Sequence, residues 1–542
     1  MTQARKHNFA NWRAVALLSV WGLFAIHFIH WKLNGTTLAP LELNEVLYTI
    51  HQGIITGGFI LMFVVMIATL FLGRFFCGWA CHILSLQDGC AWLMKKIGVK
   101  PQAIRSRFFL WVPLGAVFYL FVWPQIAMYL GGIEVAKLHV AKADSDGWSS
   151  FVTDDLWRNL PSGEIALSTF FIVGFLIIYL LGSRSFCFYG CPYGALFSIA
   201  DRVSPGRIIL TGDCVQCGVC TSNCGSDILV HKEIKKYEMV TNDRCLKCLD
   251  CVGGCPEQAL SFGFTKPPFF KKTSKLEVYK ERYNFTLWED ISMAIIFILS
   301  VLIFRALYDL IPFLMSIGLS VVTAYLSILF YRTLTKQSSK LRRAVLKISH
   351  RITPIGYTFI TFCICYFSLT IHSGFIQFHS FRGQKIYESV IADRSSTLNP
   401  QMLENALIHF ELADDFGLIT PLRIKKQIAS IHLFRGEDHK AIPFLKELVV
   451  EAPEDIETIG RLSVIYMKQK NFYAALPYLQ KLVELQPQNP QSHYNLGMAN
   501  MSIGKYELAA IHLKRAIRIN PSYEKAKTGL SRISNYRKEF TE

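Results

Sequence analysis

Along the first two thirds of the chain, apolar residues gather in blocks of roughly helical-span length, with polar and basic loops between them. A bilayer is crossed by about 20 consecutive apolar residues in a helix. Seven blocks reach or approach that length: 14–31, 54–73, 108–130, 164–182, 289–308, 313–331 and 353–372. The second reads IITGGFILMFVVMIATLFLG; the seventh, TPIGYTFITFCICYFSLTIH, is the most polar. This pattern predicts a mainly α protein built on a polytopic helical bundle of about seven spans. The first block has basic flanks and no small-residue cleavage site, so it reads as an uncleaved anchor.

Beyond the seventh block the period lengthens to 34. Pro453, Pro487 and Pro521 are spaced by it, as are Ala441, Ala475 and Ala509, and Ile428, Leu462 and Leu496. A small residue lets two helices approach, and a proline after the second helix stops it. This resembles the tetratricopeptide repeat, whose period is also 34. Residues 395–542 are therefore expected to form an α-solenoid, with a helix near 400–415 capping its start. Such a stack offers a concave surface to a protein partner.

The net charge is +17. Its distribution argues for loop charge rather than a nucleic-acid footprint, so no nucleic-acid partner is expected. Arg5, Lys6 and Arg13 precede the first span. Arg74, Lys95, Lys96, Lys100, Arg105 and Arg107 follow the second, and Arg332, Lys336, Lys340, Arg342, Arg343, Lys347 and Arg351 follow the sixth. The alternate loops hold only Lys32, or Lys137, Lys142 and Arg158. Lysine and arginine collect on the cytoplasmic side. The amino terminus and the 183–288 loop are thus expected in the cytoplasm of a bacterial plasma-membrane protein. With an odd number of spans, the tail is expected on the periplasmic side.

Eight of the 15 cysteines lie in two runs, CVQCGVCTSNC at 214–224 and CLKCLDCVGGC at 245–255. Each reads C-x2-C-x2-C-x3-C. This is the bacterial ferredoxin pattern, in which three near thiolates hold one [4Fe–4S] cluster and the fourth serves the other. The expected ligand sets are Cys214, Cys217, Cys220 and Cys255, and Cys245, Cys248, Cys251 and Cys224. Zinc sites and disulfide frameworks do not call for this spacing twice. The second run ends in Cys255-Pro256, as the pattern wants; the first departs from it with Cys224-Gly225.

Four more cysteines form two C-x3-C pairs where spans end, in GRFFCGWACH and GSRSFCFYGCPYG. Arg74 and Arg184 each stand three residues before the first cysteine. Residues four apart share a helix face, so Cys77 with Cys81, and Cys187 with Cys191, are expected to present thiols together. Pro192 makes a continuous helix doubtful at the second pair. Four such sulfurs suit a third cluster or another soft metal; a dithiol or a packing role is the alternative. His27, His30, His51 and His372 map toward the outer edge, where a haem b or a quinone site would use such residues. Cys363 and Cys365 read as packing, and Cys90 has no assigned role.

Taken together, the motifs resemble the membrane polyferredoxins of the NapH/NosR type, over roughly residues 54–265. Here His82 replaces the proline expected after the first pair, and the tetratricopeptide tail is an addition to the basic pattern. The resemblance implies electron transfer between the quinone pool and a periplasmic reductase or cytochrome, or support of metalloenzyme maturation. The expected division is 1–204 for spans one to four with both pairs, 205–265 for an α+β 2×[4Fe–4S] insert, 266–375 for a basic linker and spans five to seven, and 395–542 for the solenoid. The chain reads as an electron-transfer subunit rather than a stand-alone enzyme. Metal reduction at the four edge cysteines, and redox sensing by a scaffold, are the competing readings.

Overall fold

The computed structural model describes residues 9–38, 43–99, 101, 103–132, 136–140, 152–153, 162–270, 283–392 and 399–539. Arg5, Lys6, Lys100, Lys142 and Arg158 of the charge reading lie outside them. The chain forms two compact units, Met1–Ala306 with Leu310–Leu369, and Leu307–Asp309 with Thr370–Glu542. The division falls inside a helix rather than at a linker.

Among the described residues, six helices are long and apolar enough to cross a membrane: Phe9–Asn34, Phe108–Leu130, Gly163–Leu181, Leu287–Phe304, Phe313–Thr335 and Pro354–Ile391. The remaining expected span is a shorter apolar helix, Gly57–Leu72, of 16 residues. At 1.5 Å per residue it measures about 24 Å. Two spans carry π-helical turns, at Phe118–Val122 and Phe170–Leu176. The first lies directly ahead of Pro124. Proline has no N–H and crowds the carbonyl four residues back, and a widened turn absorbs both faults.

Phe313–Thr335 is the most enclosed span of the first unit. Small and hydroxylated residues, among them Ser316, Gly318, Ser320 and Ala324, let its neighbours close in. Ile177, Phe109, Met293 and Cys363 pack into the same core. Ser320 returns its hydroxyl to the Ser316 carbonyl at 2.7 Å, so this hydroxyl is satisfied within its own helix.

The insert is small and mixed. Strands Gly206–Leu210 and Leu260–Phe264 pair antiparallel, with Ile208 opposite Phe262. Between them lie the helices Val219–Ser222, Val230–Tyr237 and Asp250–Gly253. The two cysteine runs repeat in backbone as well as in spelling. Left-handed residues occur at Gln216 and Lys247, at Gly218 and Leu249, and at Asp227 and Gln258, each pair at the same offset in its run. Each run therefore bends identically around its own cavity.

In the second unit, Leu422–Phe434 with Asp438–Glu451, Ile456–Lys468 with Phe472–Leu485, and Pro490–Ser502 with Tyr506–Ile519 form three helix pairs. Ala441, Ala475 and Ala509 have no exposed surface, as their place at the crossings requires. Pro400–Asp415 is the expected starting helix. It packs on the end of Pro354–Ala392 through Phe410, Ile376 and Val390. The seventh apolar block thus continues past 372 and supplies an element of the solenoid core.

Candidate functional site

Two cavities open within the insert. Cys214, Cys217, Cys220 and Cys255 line one, with His231, Ile234 and Pro256. Cys224, Cys245, Cys248 and Cys251 line the other, with Ile208, Ile228 and Val240. Each takes three cysteines from one run and the fourth from the other. All eight thiols are free. Burial pushes the Cys224 thiol up to about 12, and Cys248 and Cys245 beside it add to the shift. Burial also holds the Cys251 thiol well above its usual range, reinforced by Cys245 and Cys248. Four thiols crowded in an apolar pocket are costly to ionise alone, and a cationic core among them removes that cost. In a [4Fe–4S] cluster each thiolate binds a different iron, so the ligands surround a cavity instead of meeting at a point. Among the described residues, no group of three or more His, Cys, Asp or Glu side chains is placed to hold a single metal ion.

The two membrane-edge pairs come together as one set. Cys77 sits in the short helix Phe75–Trp79, and Cys81 caps the next, His82–Lys96. Cys187 sits in Ser185–Tyr189, and Cys191 caps Pro192–Val203. The expectation of two thiols on one face of a continuous helix is corrected at Cys77 and Cys81, where the chain turns between them; it turns likewise between Cys187 and Cys191, where Pro192 made such a helix doubtful. His82 and Pro192 occupy the same place, the first residue of the new helix. The Cys191 Sγ accepts the Gly194 N–H at 3.3 Å, and both capping sulfurs stand at positive helix ends. Burial pushes the Cys81 thiol up to about 12, and Cys77 adds to it. The Cys187 thiol lies well above its usual range through burial, then through Cys81, Cys191 and Cys77. Two buried donors at this set have no partner, Gln87 Nε2 and Arg74 Nε. Gln87 already receives the Cys187 thiol at its Oε1, 3.5 Å away. Four sulfurs, two helix ends and two spare N–H donors fit an anionic sulfur-bearing group.

The insert is seated on this edge. A Cβ on Gly78 would lie 2.2 Å from the Leu246 carbonyl oxygen, so only glycine permits the approach. Trp79 Nε1 donates to the Lys247 carbonyl at 3.0 Å. Asp201 has no exposed surface and takes Arg207 Nη1 at 2.8 Å and Lys247 Nζ at 3.0 Å. Its Oδ1 also accepts the Arg74 backbone N–H at 3.1 Å. A second network joins Asp88 to Arg184 at 2.9 Å, and Arg13 to Asp250 at 3.2 Å. Burial pushes the Asp88 carboxyl up, but the Arg184 and Arg13 guanidinia overcome this and hold it at about 2. Sequence reasoning missed Asp88, Asp201 and Lys247. Lys247 carries the one signal that was available, a charge between two ligand cysteines.

The other candidates are placed apart from these sites. Cys90 packs against Gly174, and Cys363 is fully buried in the bundle core. Cys365 is exposed. Thr37 Oγ1 lies 3.1 Å from His30 Nδ1 and 3.3 Å from His27 Nδ1, so both rings turn to one hydroxyl. His51 is exposed, and His372 Nε2 is 3.0 Å from the Phe416 carbonyl.

The family described as a 4Fe-4S binding domain matches residues 54–100 and 165–210. Those segments hold the two membrane-edge pairs. Tetratricopeptide repeats match 456–489 and 490–523. YccM of Escherichia coli is 29% identical over 223 residues, which is 40% of this chain and 58% of YccM. The chain thus spans less than two thirds of that relative. The ferredoxin-type protein NapH of Haemophilus influenzae is 24% identical over 279 residues, 47% of this chain and 90% of NapH. The methylamine utilization ferredoxin-type protein MauN of Methylorubrum extorquens is 24% identical over 43% of this chain and 79% of MauN. Among solved structures, MamA from Desulfovibrio magneticus RS-1 is 18% identical, with a TM-score of 0.26 over 30% of this chain and 86% of that one.

Proposed function

For a membrane protein similar to the ferredoxin-type proteins NapH and MauN and ending in tetratricopeptide repeats, we propose electron transfer through iron–sulfur clusters, between a membrane carrier such as quinol and a protein docked on the tail. The observation that carries this is the division of eight cysteines into two cavities of four, each drawing on both runs. Cys214, Cys217, Cys220 and Cys255 would hold one [4Fe–4S] cluster, and Cys224, Cys245, Cys248 and Cys251 the other. Cys77, Cys81, Cys187 and Cys191 would hold a third. Such groups supply one-electron transfer when bound. The chain's own residues position the ligands, exclude water and neutralise charge. Ile208, Ile228 and Val240 keep the second cavity dry, while Gln87 and Arg74 offer N–H donors at the edge set.

Orientation follows from charge. Arg13, Arg105, Arg184, Arg342 and Arg343 all bond within the loop-and-insert end of the first unit. By the positive-inside tendency that end is cytoplasmic. Seven crossings, counting Gly57–Leu72, would carry the tail to the periplasm. Iron and sulfide analysis of anaerobically purified protein, with electron paramagnetic resonance after reduction by quinol, tests the function. Eight or more irons per chain and quinol-reducible signals are expected. Far fewer irons, or clusters that quinol leaves oxidised, would refute it. Cysteine labelling of intact cells at introduced sites in the insert and tail tests the orientation.

A second reading is favoured by the edge set itself, which touches the insert through Gly78 and Trp79. There the four thiols would pass electrons to a metal or a client disulfide on the cytoplasmic side. Serine at Cys77, Cys81, Cys187 and Cys191 together should then abolish function while both insert clusters persist. Full function in that variant excludes it.

A further inference from the structure

The two membrane-edge motifs each place an arginine three residues before the first cysteine, yet the two arginines reach different places. Arg74 keeps its charge beside Cys77 of its own motif and meets the insert at a backbone oxygen, Nη1 donating to the Asp243 carbonyl at 3.0 Å. Arg184 crosses to the insert. Ser183 adds one residue between glycine and arginine that Gly73-Arg74 lacks, and Arg184 takes a left-handed φ of 59°. Its side chain is 2% exposed. The Nε and Nη2 edge grips Asp88 at 2.9 and 3.0 Å. That leaves Nη1 facing the second cavity, 3.5 Å from Cys248 Sγ and 3.4 Å from Ser226 Oγ.

This geometry also accounts for the departure at the end of the first run. A Cβ on residue 225 would stand 2.9 Å from the Arg184 Cζ and 3.0 Å from its Nε. The proline that closes the second run at Pro256 has no room in the first. Gly225 clears the path by which a cation reaches a ligand sulfur. At the first cavity the corresponding donor is uncharged: Gln216 Nε2 donates to Cys214 Sγ at 3.2 Å. There Cys217 is exposed and Cys220 buried, whereas the second cavity has two buried cysteines, Cys245 and Cys251, and none exposed.

Cluster potential depends on net charge, on hydrogen bonds to the sulfurs and on exposure. Outer donors to ligands tune the bound metal. Asp88 and Asp250 offset Arg13 and Arg184 in total charge, but the atom at the sulfur is a guanidinium nitrogen. It favours the more negative, reduced form. We propose that Arg184 raises the reduction potential of the cluster held by Cys224, Cys245, Cys248 and Cys251 above that of its neighbour, so that the electron rests on the cluster beside the membrane-edge thiols. This rests on the cluster reading above.

The test uses the full-length protein, purified without oxygen, with iron analysis and resonance-monitored potentiometric titration. Wild type should show two insert midpoints. Arg184→Gln should keep its iron and lower the higher midpoint by a tenfold change in the reduction equilibrium, about 59 mV for one electron. Arg184→Lys should restore part of the loss. Gly225→Ala, which displaces the guanidinium and leaves the charge count intact, should lower the same midpoint. Full iron with both midpoints unmoved in Arg184→Gln, or a shift confined to the lower one, overturns the proposal. If Arg184→Gln loses iron, Gly225→Ala decides by the same two outcomes. Wild type without cluster signals would instead refute the cluster reading itself.

Discussion

Asp201→Asn should loosen the insert from the membrane edge. The side chain is fully buried and lies between two fully buried cations, Arg207 Nη1 at 2.8 Å and Lys247 Nζ at 3.0 Å. Asparagine keeps the size and one acceptor but removes the counter-charge, leaving two cations out of water. Removing one partner of a buried ion pair costs about 3–5 kcal/mol. At about 1.36 kcal/mol per factor of ten, the opening equilibrium should rise by about two to nearly four powers of ten. Amide exchange on the paired strands Gly206–Leu210 and Leu260–Phe264 reads that equilibrium directly, because their ladder breaks when Arg207 leaves its seat. A triple variant, Asp201→Leu with Arg207→Met and Lys247→Met, should recover much of the protection, since well-packed apolar residues often replace a buried ion network without loss. Exchange in Asp201→Asn within a factor of three of wild type would refute the reasoning. So would a triple variant as labile as the single one.

Gly78→Ala should drive a methyl into the Leu246 carbonyl and speed proteolysis of the 211–259 region, at a cost of about 1–3 kcal/mol; unchanged cleavage would mean that the close approach is slack. Asp88→Asn should destabilise the protein by about 2 kcal/mol near pH 6, the value of holding a carboxyl from 3.8 down to about 2. The folded pKa is the depressed one, so this stability is present above pH 4 and is lost as pH falls toward 2, and the variant and wild-type thermal midpoints should converge there. Leu479→Ala, at a fully buried position of the solenoid, should cost about 2–5 kcal/mol in thermal unfolding followed by circular dichroism, with iron content unchanged.

Local rules carried much of the architecture. A run of apolar residues becomes a helix wherever water is absent, so span positions were legible, with ends displaced by a few residues. The end of the seventh helix was not. Ile376 and Val390 extend it because Phe410 gives them a partner to pack on, and that partner belongs to a later helix, Pro400–Asp415. The bend between Cys77 and Cys81 also escaped the four-residue spacing, whereas Pro192 signalled the one between Cys187 and Cys191. A cysteine that caps one helix and follows another reads the same in sequence as two cysteines on one face.

What the sequence determined by itself is whatever repeats over short distance: the spans, the 34-residue solenoid period, and two cysteine runs whose spacing suits four sulfurs around a cavity. Backbone geometry is set by near neighbours, so such patterns survive without knowledge of the rest of the chain. The tertiary structure alone decided which charges meet. Arg13 pairs with a residue 237 positions away, Arg184 with one 96 away, and Lys247 with one 46 away. Coulomb attraction in a buried site depends on distance in space and on exclusion of water, and neither is written in the spacing of residues.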